Sequence, residues 1–320
     1  MKQKTNPFPY SDDNKRYHTW NYYLKHRFQT KVFKVALNAD FSCPNRDGKC
    51  GVGGCTFCSS LGSGDMAGNA KEDCMQQFEK GIEVMRRKWP NGEAMAYFQA
   101  YTNTYAPLSV LKQTFEPFVQ REDIKAIAIA TRADCLENDV IDYLQSCTAH
   151  KEIWIELGLQ TIHNETAMAV NRGHTYECFL DTIQRLARTD LKICVHLMNS
   201  LPHETSEMMI ESAKAIGQLP IHAVKIHMLH LLKNTRMGND YLKQPFTMMS
   251  REEYIHTVVE QLMVLPKEIV IQRLTGDGVL SDLIAPMWTV RKVTILNDID
   301  KEMARRNVWQ GCALESEITR

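Results

Sequence analysis

The sequence predicts an α/β fold, a partial (β/α)6-type barrel with parallel strands, and two observations lead to it. Short apolar, β-branched runs alternate with amphipathic stretches of helical period, and the alternation continues from near residue 32 almost to the end of the chain. The length, 320 residues, and the composition, 44% hydrophobic and 24% charged, suit one large globular domain with a sizeable core.

The apolar runs are typical of buried strands in a parallel sheet. They cover residues 31–37, 94–100, 124–130, 152–159, 191–198, 223–231 and 268–274. The predicted helices cover residues 74–87, 108–119, 139–145, 176–188, 204–216, 252–262 and 290–306. We therefore expect an N-terminal basic and aromatic extension (1–31), a barrel core (32–275) and a C-terminal helical segment (276–320) that packs on the barrel.

Composition and charge exclude several classes of protein. Lys and Arg total 38, as do Asp and Glu, so any contact with nucleic acid must come from a local patch. No apolar run approaches the roughly 18 residues of a membrane span, and no apolar segment follows the basic N-terminus, so no membrane contact or secretion is expected. The ten cysteines have no regular spacing, which favours reduced thiols and a cytoplasmic location over a disulfide framework.

A dense group of thiols follows the first predicted strand. Cys43, Cys50, Cys55 and Cys58 lie among glycines that permit the turns needed to wrap thiolates around one centre. Thiolates suit iron–sulfur clusters or zinc. Four bound thiolates would make a closed zinc site or an electron-transfer cluster, whereas three would leave one iron of a [4Fe–4S] cluster open for a ligand. The position after a barrel strand, where chemistry is expected, favours the open cluster.

The same loop resembles the cluster motif of the radical S-adenosylmethionine (SAM) superfamily, in the branch of the Elongator catalytic subunit and coproporphyrinogen dehydrogenase. Cys43, Cys55 and Cys58 match an expanded Cys-x11-Cys-x2-Cys spacing, with Phe57 as the aromatic residue before the last cysteine. The resemblance implies a partial radical SAM barrel in which these three cysteines hold a [4Fe–4S] cluster and Cys50 is set aside. It also implies that the Phe57 backbone lies against the SAM adenine.

Further motifs resemble the superfamily in order along successive strands. Glu156-Leu-Gly-Leu-Gln160 and the later Arg172-Gly-His-Thr are similar to one family signature, by which Gln160 and Arg172 would contact the methionyl and ribose groups of SAM. Glu156 and His196, the latter in a His-x-Met segment, are assigned to the same cofactor pocket. Residues 131–134, Thr-Arg-Ala-Asp, resemble the Thr-Arg-Pro-Asp of the third strand. The usual Gly-Gly-Glu after the second strand is absent.

The resemblance implies that a reduced cluster cleaves SAM to a 5′-deoxyadenosyl radical, which removes hydrogen from a substrate. It implies tRNA as that substrate, at the C5 side chain of the wobble uridine, and an electron donor such as flavodoxin or ferredoxin. No acetyltransferase segment follows within 320 residues, so remodelling of an existing side chain, such as carboxymethylaminomethyl, is expected instead. Two alternatives stay open: an oxidoreductase acting on a small metabolite, and a non-catalytic metal-binding or electron-transfer protein.

Three other features have two interpretations each. Residues 17–28 are predicted as an amphipathic helix that closes the bottom of the barrel, but their basic and aromatic side chains also suit nucleic acid. The tyrosines at 97, 101 and 105 are candidates for a substrate pocket and equally for packing. His227 and His230 are expected to be packed within the barrel rather than to act in the pocket.

Overall fold

Seven strands form one parallel sheet in this computed structural model, which describes residues 6–62, 64, 67–276, 278 and 280–318. The strands of the chain are β1 (Val32–Leu37), β2 (Glu93–Phe98), β3 (Ile124–Thr131), β4 (Glu152–Gln160), β5 (Lys192–Asn199), β6 (Ala223–Met228), β7 (Leu231–Leu232), β8 (Val270–Arg273) and β9 (Leu283–Ala285). The order in the main sheet is β1-β2-β3-β4-β5-β6-β8, with every neighbouring pair parallel. The sheet curls into an open barrel.

The chain also forms helices, most of which cover the outer face of this sheet. They are α1 (Trp20–Phe28), α2 (Cys74–Lys88), α3 (Leu108–Val119), α4 (Asn138–Cys147), α5 (Asn164–Ala169), α6 (Tyr176–Leu186), α7 (Ser206–Gly217), α8 (Arg236–Lys243), α9 (Arg251–Val264), α10 (Lys292–Arg306) and α11 (Cys312–Ile318). Phe78, Phe115 and Phe179 are fully buried and join the outward side chains of the strands in one apolar core. Among the described residues, no helix combines the length and the apolar character required to cross a membrane.

The structure confirms the parallel barrel and all seven predicted strands, with small shifts at their ends. One strand is wrong in extent: the predicted strand 223–231 ends at Met228, and Leu231–Leu232 instead pair antiparallel with Leu283–Ala285. The apolar run continues through this break, so the pattern carries no signal for it. The C-terminal segment is therefore not wholly helical. Helices α5, α8 and α11 are not predicted, because six to eight residues give too few turns for a clear period.

Alternate residues of each strand point into the barrel and form layers. The layer nearest the amino ends of the strands is apolar and contains Val32, Met95, Ala126, Trp154, Cys194, Ala223 and Val270. Two residues further along, the inward position of β3 is again apolar, Ala128, whereas the other six strands carry polar side chains there, namely Lys34, Tyr97, Glu156, His196, Lys225 and Gln272. The barrel interior thus has an apolar floor with a polar layer directly above it.

Helix α1 closes the floor of the barrel, as predicted. Trp20 stacks on Tyr23 with ring centroids 5.3 Å apart, and both rings meet Trp154 edge-on, at 5.0 and 5.6 Å. The Tyr23 hydroxyl donates to Glu152 at 2.8 Å, and Leu24 is buried beneath the sheet. The aromatic residues of α1 therefore serve the packing of the floor, while the nucleic-acid interpretation of this segment stays a prediction.

The substitution Trp154→Ala is expected to lower the free energy of unfolding by about 3–5 kcal/mol, because it leaves a cavity between the floor and α1. Val84→Ala on the solvent side of α2, where Val84 is 60% exposed, is the control and should change it by less than about 0.5 kcal/mol. Chemical denaturation followed by circular dichroism measures both. Equal unfolding midpoints for Trp154→Ala and the unsubstituted protein would contradict this role of the floor.

Candidate active site

A cavity of about 310 Å³ opens at the carboxyl ends of the strands, above the polar layer. The ends of β3 to β6 and the cysteine loop, residues 43–58, form much of its wall. The lining includes all the residues that the sequence assigned to a cofactor or metal: Cys43, Cys55, Phe57, Cys58, Glu156, Gln160, Arg172 and His196. The fold therefore brings these side chains together from four separate segments of the chain.

Asn45 anchors the cysteine loop from within. Its fully buried side chain donates from Nδ2 to the carbonyl oxygens of Asn171, at 2.5 Å, and Arg172, at 3.3 Å. Asn171 in turn donates from Nδ2 to the Gly54 carbonyl at 2.8 Å. A Cβ at Gly51 would lie 2.1 Å from Asn45 Oδ1, so the close approach of this backbone requires glycine. Two segments that are distant in sequence are thus held as one unit.

Three of the four thiols in this loop line the cavity. Cys43, Cys55 and Cys58 contribute to the wall, and the Cys58 amide donates to the Cys55 carbonyl at 3.0 Å in a tight turn. Burial, with the nearby thiols of Cys58 and Cys43, raises the pKa of Cys55 to about 12. Cys50 is exposed instead, and its Sγ lies 3.6 Å from Nη2 of Arg132. Cys50 therefore has an environment different from that of the other three thiols.

The spacing of the possible ligands bears on the kind of metal centre. Within the described part of the chain, no three His, Cys, Asp or Glu side chains are grouped so that they could hold a single metal ion. A four-iron cluster is bound through separate irons, so its thiolates need not converge on one point. The thiols of Cys43, Cys55 and Cys58, which line one cavity, are the donor type that such a cluster requires.

Arg172 lies almost wholly buried, 1% exposed, beside the end of β4. Its Nε donates to the His174 carbonyl at 3.0 Å, and its Nη1 donates to the carbonyls of Leu159 and, at 2.6 Å, Thr161. Its Nη2 is buried and finds no partner among the described residues. Burial and the neighbouring Arg132 lower the pKa of Arg172 to about 10. The backbone thus fixes this guanidinium and leaves one nitrogen for a ligand.

Gln160 and Phe57 reach the cavity from different elements. Gln160 ends β4 in a left-handed conformation, φ 63°, where the pairing between β4 and β5 shifts. Such a shift changes the direction of the last side chains of a strand. Phe57 packs with Val170, Leu229 and Met237 in a small apolar group above the barrel. The direction of the Gln160 side chain is therefore set by an irregular strand end, and that of Phe57 by packing outside the sheet, rather than by regular strand geometry.

Arg132 supports the same wall from the end of β3. It forms a bidentate pair with Asp134, with Nε–Oδ1 and Nη2–Oδ2 distances of 2.9 and 2.8 Å, and its Nη1 donates to the Arg172 carbonyl at 2.7 Å. The segment 131–134, singled out by resemblance alone, thus has a physical role. It fixes the backbone that carries Arg172.

A buried carboxylate lies at the centre of the polar layer. Glu156 is wholly buried; its Oε1 accepts from Lys34 Nζ at 2.8 Å, and its Oε2 accepts from Lys225 Nζ and lies 3.1 Å from His196 Nε2. Lys225 Nζ also donates to the Tyr97 hydroxyl at 3.3 Å. One carboxylate on β4 therefore serves two ammonium groups, from β1 and β6, and an imidazole from β5.

The protonation states of this cluster follow from burial and charge. Burial alone raises the pKa of Glu156, but Lys225 and Lys34 together hold it well below its ordinary value. Burial and Lys225 lower the pKa of His196 to about 4, so its imidazole is neutral near pH 7. Burial lowers the pKa of Lys225 to about 8, since attraction to Glu156 only partly offsets burial and repulsion from Lys34.

The sequence reasoning placed Glu156 and His196 in the site but missed Lys34, Lys225 and Asn45. The sequence does contain a signal for the two lysines. Each stands in an apolar strand at a position whose side chain points into the barrel, and a charged residue is rarely buried unless it is paired. Asn45 carries no such signal, because its carbonyl partners lie 126 and 127 residues away along the chain.

Two histidines depart from expectation. His227 and His230 line the cavity instead of being packed away from it. The rings of His196 and His227 lie 5.3 Å apart, and Nε2 of His227 is buried with no partner in the described part of the chain. Tyr97 and Tyr101 also line the cavity, and a contact of either tyrosine with the substrate stays a prediction.

The sequence matches the radical SAM superfamily over residues 48–216 and the Radical_SAM C-terminal domain over residues 221–305. It is 46% identical over 308 residues to the YtqA protein of Bacillus subtilis, covering 96% of each chain. It is 29% identical over 156 residues to the tRNA uridine(34) acetyltransferase of Methanocaldococcus jannaschii, covering 48% of this chain and 28% of that protein. The solved structure of Elp3 from Methanocaldococcus infernus superimposes with a TM-score of 0.64 at 16% identity, over 88% of this chain and 64% of that chain.

The chain therefore belongs to the radical SAM superfamily. This result confirms the radical SAM barrel expected from the sequence, and the Elp3 structure shows the same fold. The protein is a radical SAM enzyme whose cofactors are a [4Fe–4S] cluster and SAM, rather than a non-catalytic metal-binding protein.

The substitution Glu156→Gln is expected to lower the free energy of unfolding at pH 7 by about 3–5 kcal/mol, because it leaves two buried ammonium groups without their carboxylate. The pKa of Glu156 is lowered by folding, so its contribution is present above the ordinary carboxyl pKa and is lost as the pH falls through the lowered value. Denaturant titrations at neutral and acidic pH measure this difference.

The control for this substitution is Glu83→Gln, which removes an exposed ion pair with Arg87 on α2. Exposed pairs of this kind contribute little, so its unfolding midpoint should match that of the unsubstituted protein. If Glu156→Gln also left the midpoint unchanged at neutral pH, the ionic cluster would not have the stabilising role described above.

Proposed function

We propose that this enzyme holds its cluster with Cys43, Cys55 and Cys58 and modifies the C5 side chain of the wobble uridine in tRNA. Carboxymethylaminomethyl-uridine is the preferred substrate. The observation that carries the tRNA assignment is a pair of cation–aromatic contacts at the cysteine loop, beside the cavity.

These contacts join the cysteine loop to the segment that follows β2. The Arg46 guanidinium lies 5.4 Å from the ring centroid of Tyr101, and Lys49 Nζ lies 5.1 Å from that of Tyr105. Arg46 and Tyr101 line the cavity itself. Cations beside aromatic faces suit single-stranded nucleic acid, because the cations attract phosphates and the rings stack on bases. An anticodon loop offers unpaired bases that can be splayed toward such a site.

The similarity to a tRNA uridine(34) acetyltransferase, over 48% of this chain, supports the same nucleotide as substrate. That protein is named for acetyl transfer. The proposal for this chain concerns the radical step alone, and the preferred substrate already carries a C5 side chain. A small-metabolite oxidoreductase remains the competing assignment, and the nucleoside experiment below separates the two.

The cluster assignment is supported by where the thiols lie. Cys43, Cys55 and Cys58 line the cavity, whereas Cys50 is exposed. When bound, the cluster and SAM supply a 5′-deoxyadenosyl radical through one-electron cleavage of SAM. The protein contributes position: Asn45 fixes the loop and brings its Nδ2 to 3.8 Å from Cys55 Sγ, where it can support a thiolate ligand.

The SAM assignment rests on polar atoms that face the cavity. The unpaired Nη2 of Arg172 can donate to the SAM carboxylate or ribose, and Gln160 can both donate and accept. Phe57 is proposed to lie beside the adenine. Glu156 and His196 are proposed to support the cofactor pocket from below, through their mutual contact of 3.1 Å.

Anaerobic reconstitution of the unsubstituted protein should give about four irons per chain and SAM-dependent release of 5′-deoxyadenosine. The Cys58→Ala variant is expected to lose both, because a cluster with two protein thiolates is not retained. Cys50→Ala is the matched control within the same loop and should keep the iron content and SAM cleavage. Iron analysis and chromatography measure these outcomes, and loss of iron from Cys50→Ala would overturn the three-ligand assignment.

Deletion of the gene is expected to leave an unprocessed C5 side chain on the wobble uridine of the affected tRNAs. Mass spectrometry of tRNA nucleosides measures this, with the strain complemented by the unsubstituted gene or by the Cys58→Ala gene. Only the unsubstituted gene should restore the processed nucleoside. An unchanged nucleoside profile in the deletion strain would reject tRNA and favour a small metabolite.

A further inference from the structure

Lys225 occupies an unusual position for a lysine. It lies in the middle of β6 with its side chain 6% exposed, and it lines the cavity above the barrel floor. Its Nζ contacts Glu156 Oε2 and donates to the Tyr97 hydroxyl at 3.3 Å. A buried ammonium group normally needs a full counter-charge, because burial disfavours its charged form.

The counter-charge of Lys225 is shared. Lys34 Nζ lies 2.8 Å from the other oxygen of Glu156, and it is also held at 3.0 Å by the Gln272 side-chain oxygen. The Tyr97 ring lies 4.7 Å from Nζ of both lysines, whereas the Trp20 ring, 5.1 Å from Lys34 Nζ, adds a cation–aromatic contact for Lys34. Glu156 thus has one negative charge for two lysines, and Lys225 is the lysine that faces the cavity.

Charged groups on three other strands act on the charge of Lys225. Lys34 on β1 and Arg273 on β8 disfavour the ammonium form, whereas Glu156 on β4 favours it. Burial raises the pKa of Cys194 on β5, so its thiol is neutral. Burial has the largest effect, and the resulting pKa of Lys225 is about 8. The neutral amine is therefore populated near physiological pH.

The other titratable groups that face Lys225 are less suited to accept a proton. Glu156 is held as a carboxylate by two cations, and its pKa lies well below the ordinary value. Burial lowers the pKa of His196 to about 4 and that of His227 well below its ordinary value, so both imidazoles are weak bases. Burial and Glu156 raise the pKa of Tyr97, which keeps its phenol protonated.

We propose that Lys225 is the catalytic base of the cavity and takes a proton from an N–H or O–H group of the substrate during the radical reaction. The substrate N–H or O–H bond breaks, its electron pair stays on the substrate atom, and a new Nζ–H bond forms. No electron passes between lysine and substrate, and the proton later returns to solvent. Glu156 and Lys34 are positioning residues that hold Lys225 and adjust its charge. This assignment rests on the radical SAM chemistry of the family and not on tRNA as the substrate.

The first experiment separates proton transfer from SAM cleavage in the reconstituted enzyme. Lys225→Met should lower the amount of product formed per 5′-deoxyadenosine released by at least about 100-fold, because SAM cleavage does not need the proton to be removed whereas product formation does. Lys225→Arg keeps a positive charge but cannot be deprotonated, so it should fail equally. Product formation by Lys225→Arg near the unsubstituted level would show that only charge is required and would overturn the proposal.

The second experiment measures Lys225 directly and needs no substrate. Heteronuclear NMR of isotope-labelled lysine side chains, from about pH 6 to about pH 10, should show one lysine that titrates near pH 8 and is missing from the Lys225→Arg spectrum. Lys34→Met is the matched variant: loss of the neighbouring cation should move this titration, and the pH profile of product formation, to higher pH. A Lys225 that titrates at the ordinary lysine pKa, or that is unaffected by Lys34→Met, would overturn the proposal even if the substrate assignment were correct.

Discussion

The sharing of Glu156 between Lys34 and Lys225 is the interaction on which the rest of the barrel interior depends. It joins β1, β4 and β6 through one buried carboxylate, and Lys34 reaches on to Gln272 of β8 at 3.0 Å. Strands β1 and β8 are the two edges of the open sheet and share no ladder of hydrogen bonds among the described residues, so this lysine spans the seam between them. Loss of this carboxylate would leave two buried ammonium groups without a counter-charge, which is strongly destabilising.

The buried charge cluster of Glu156, Lys34 and Lys225 also divides the barrel into two parts with different roles. Below it, the apolar floor and α1 bury Trp154 and exclude water from the amino ends of the strands. Above it, the cavity brings polar groups and thiols together at the carboxyl ends, where the strand alternation no longer dictates the direction of side chains. A radical reaction needs such a separation, because the wall around the reacting atoms must exclude solvent while the rim admits a substrate.

The upper part is held together by contacts between irregular segments rather than by strands. Asn45 of the cysteine loop donates to the Asn171 carbonyl, and the Asn171 side chain donates to the Gly54 carbonyl of the same loop. Arg132 adds a third contact, to the Arg172 carbonyl. The thiols and the guanidinium are therefore fixed relative to one another through main-chain carbonyls. These hydrogen bonds hold the loop in a defined position in the cavity wall, although the spacing between Cys43 and Cys55 is expanded.

The sequence by itself determined the parallel barrel, the position of the cysteine loop after β1 and part of the cavity lining, from Cys43 to His196, because each follows from strand period or from a motif that resembles a known family. It misplaced the end of β6, since the apolar pattern continues across the break after Met228. The roles of Lys34, Lys225 and Asn45 were decided only by the tertiary structure. A charge on one strand acquires its partner, its burial and its pKa only when the barrel brings distant strands together, and no local pattern records those distances.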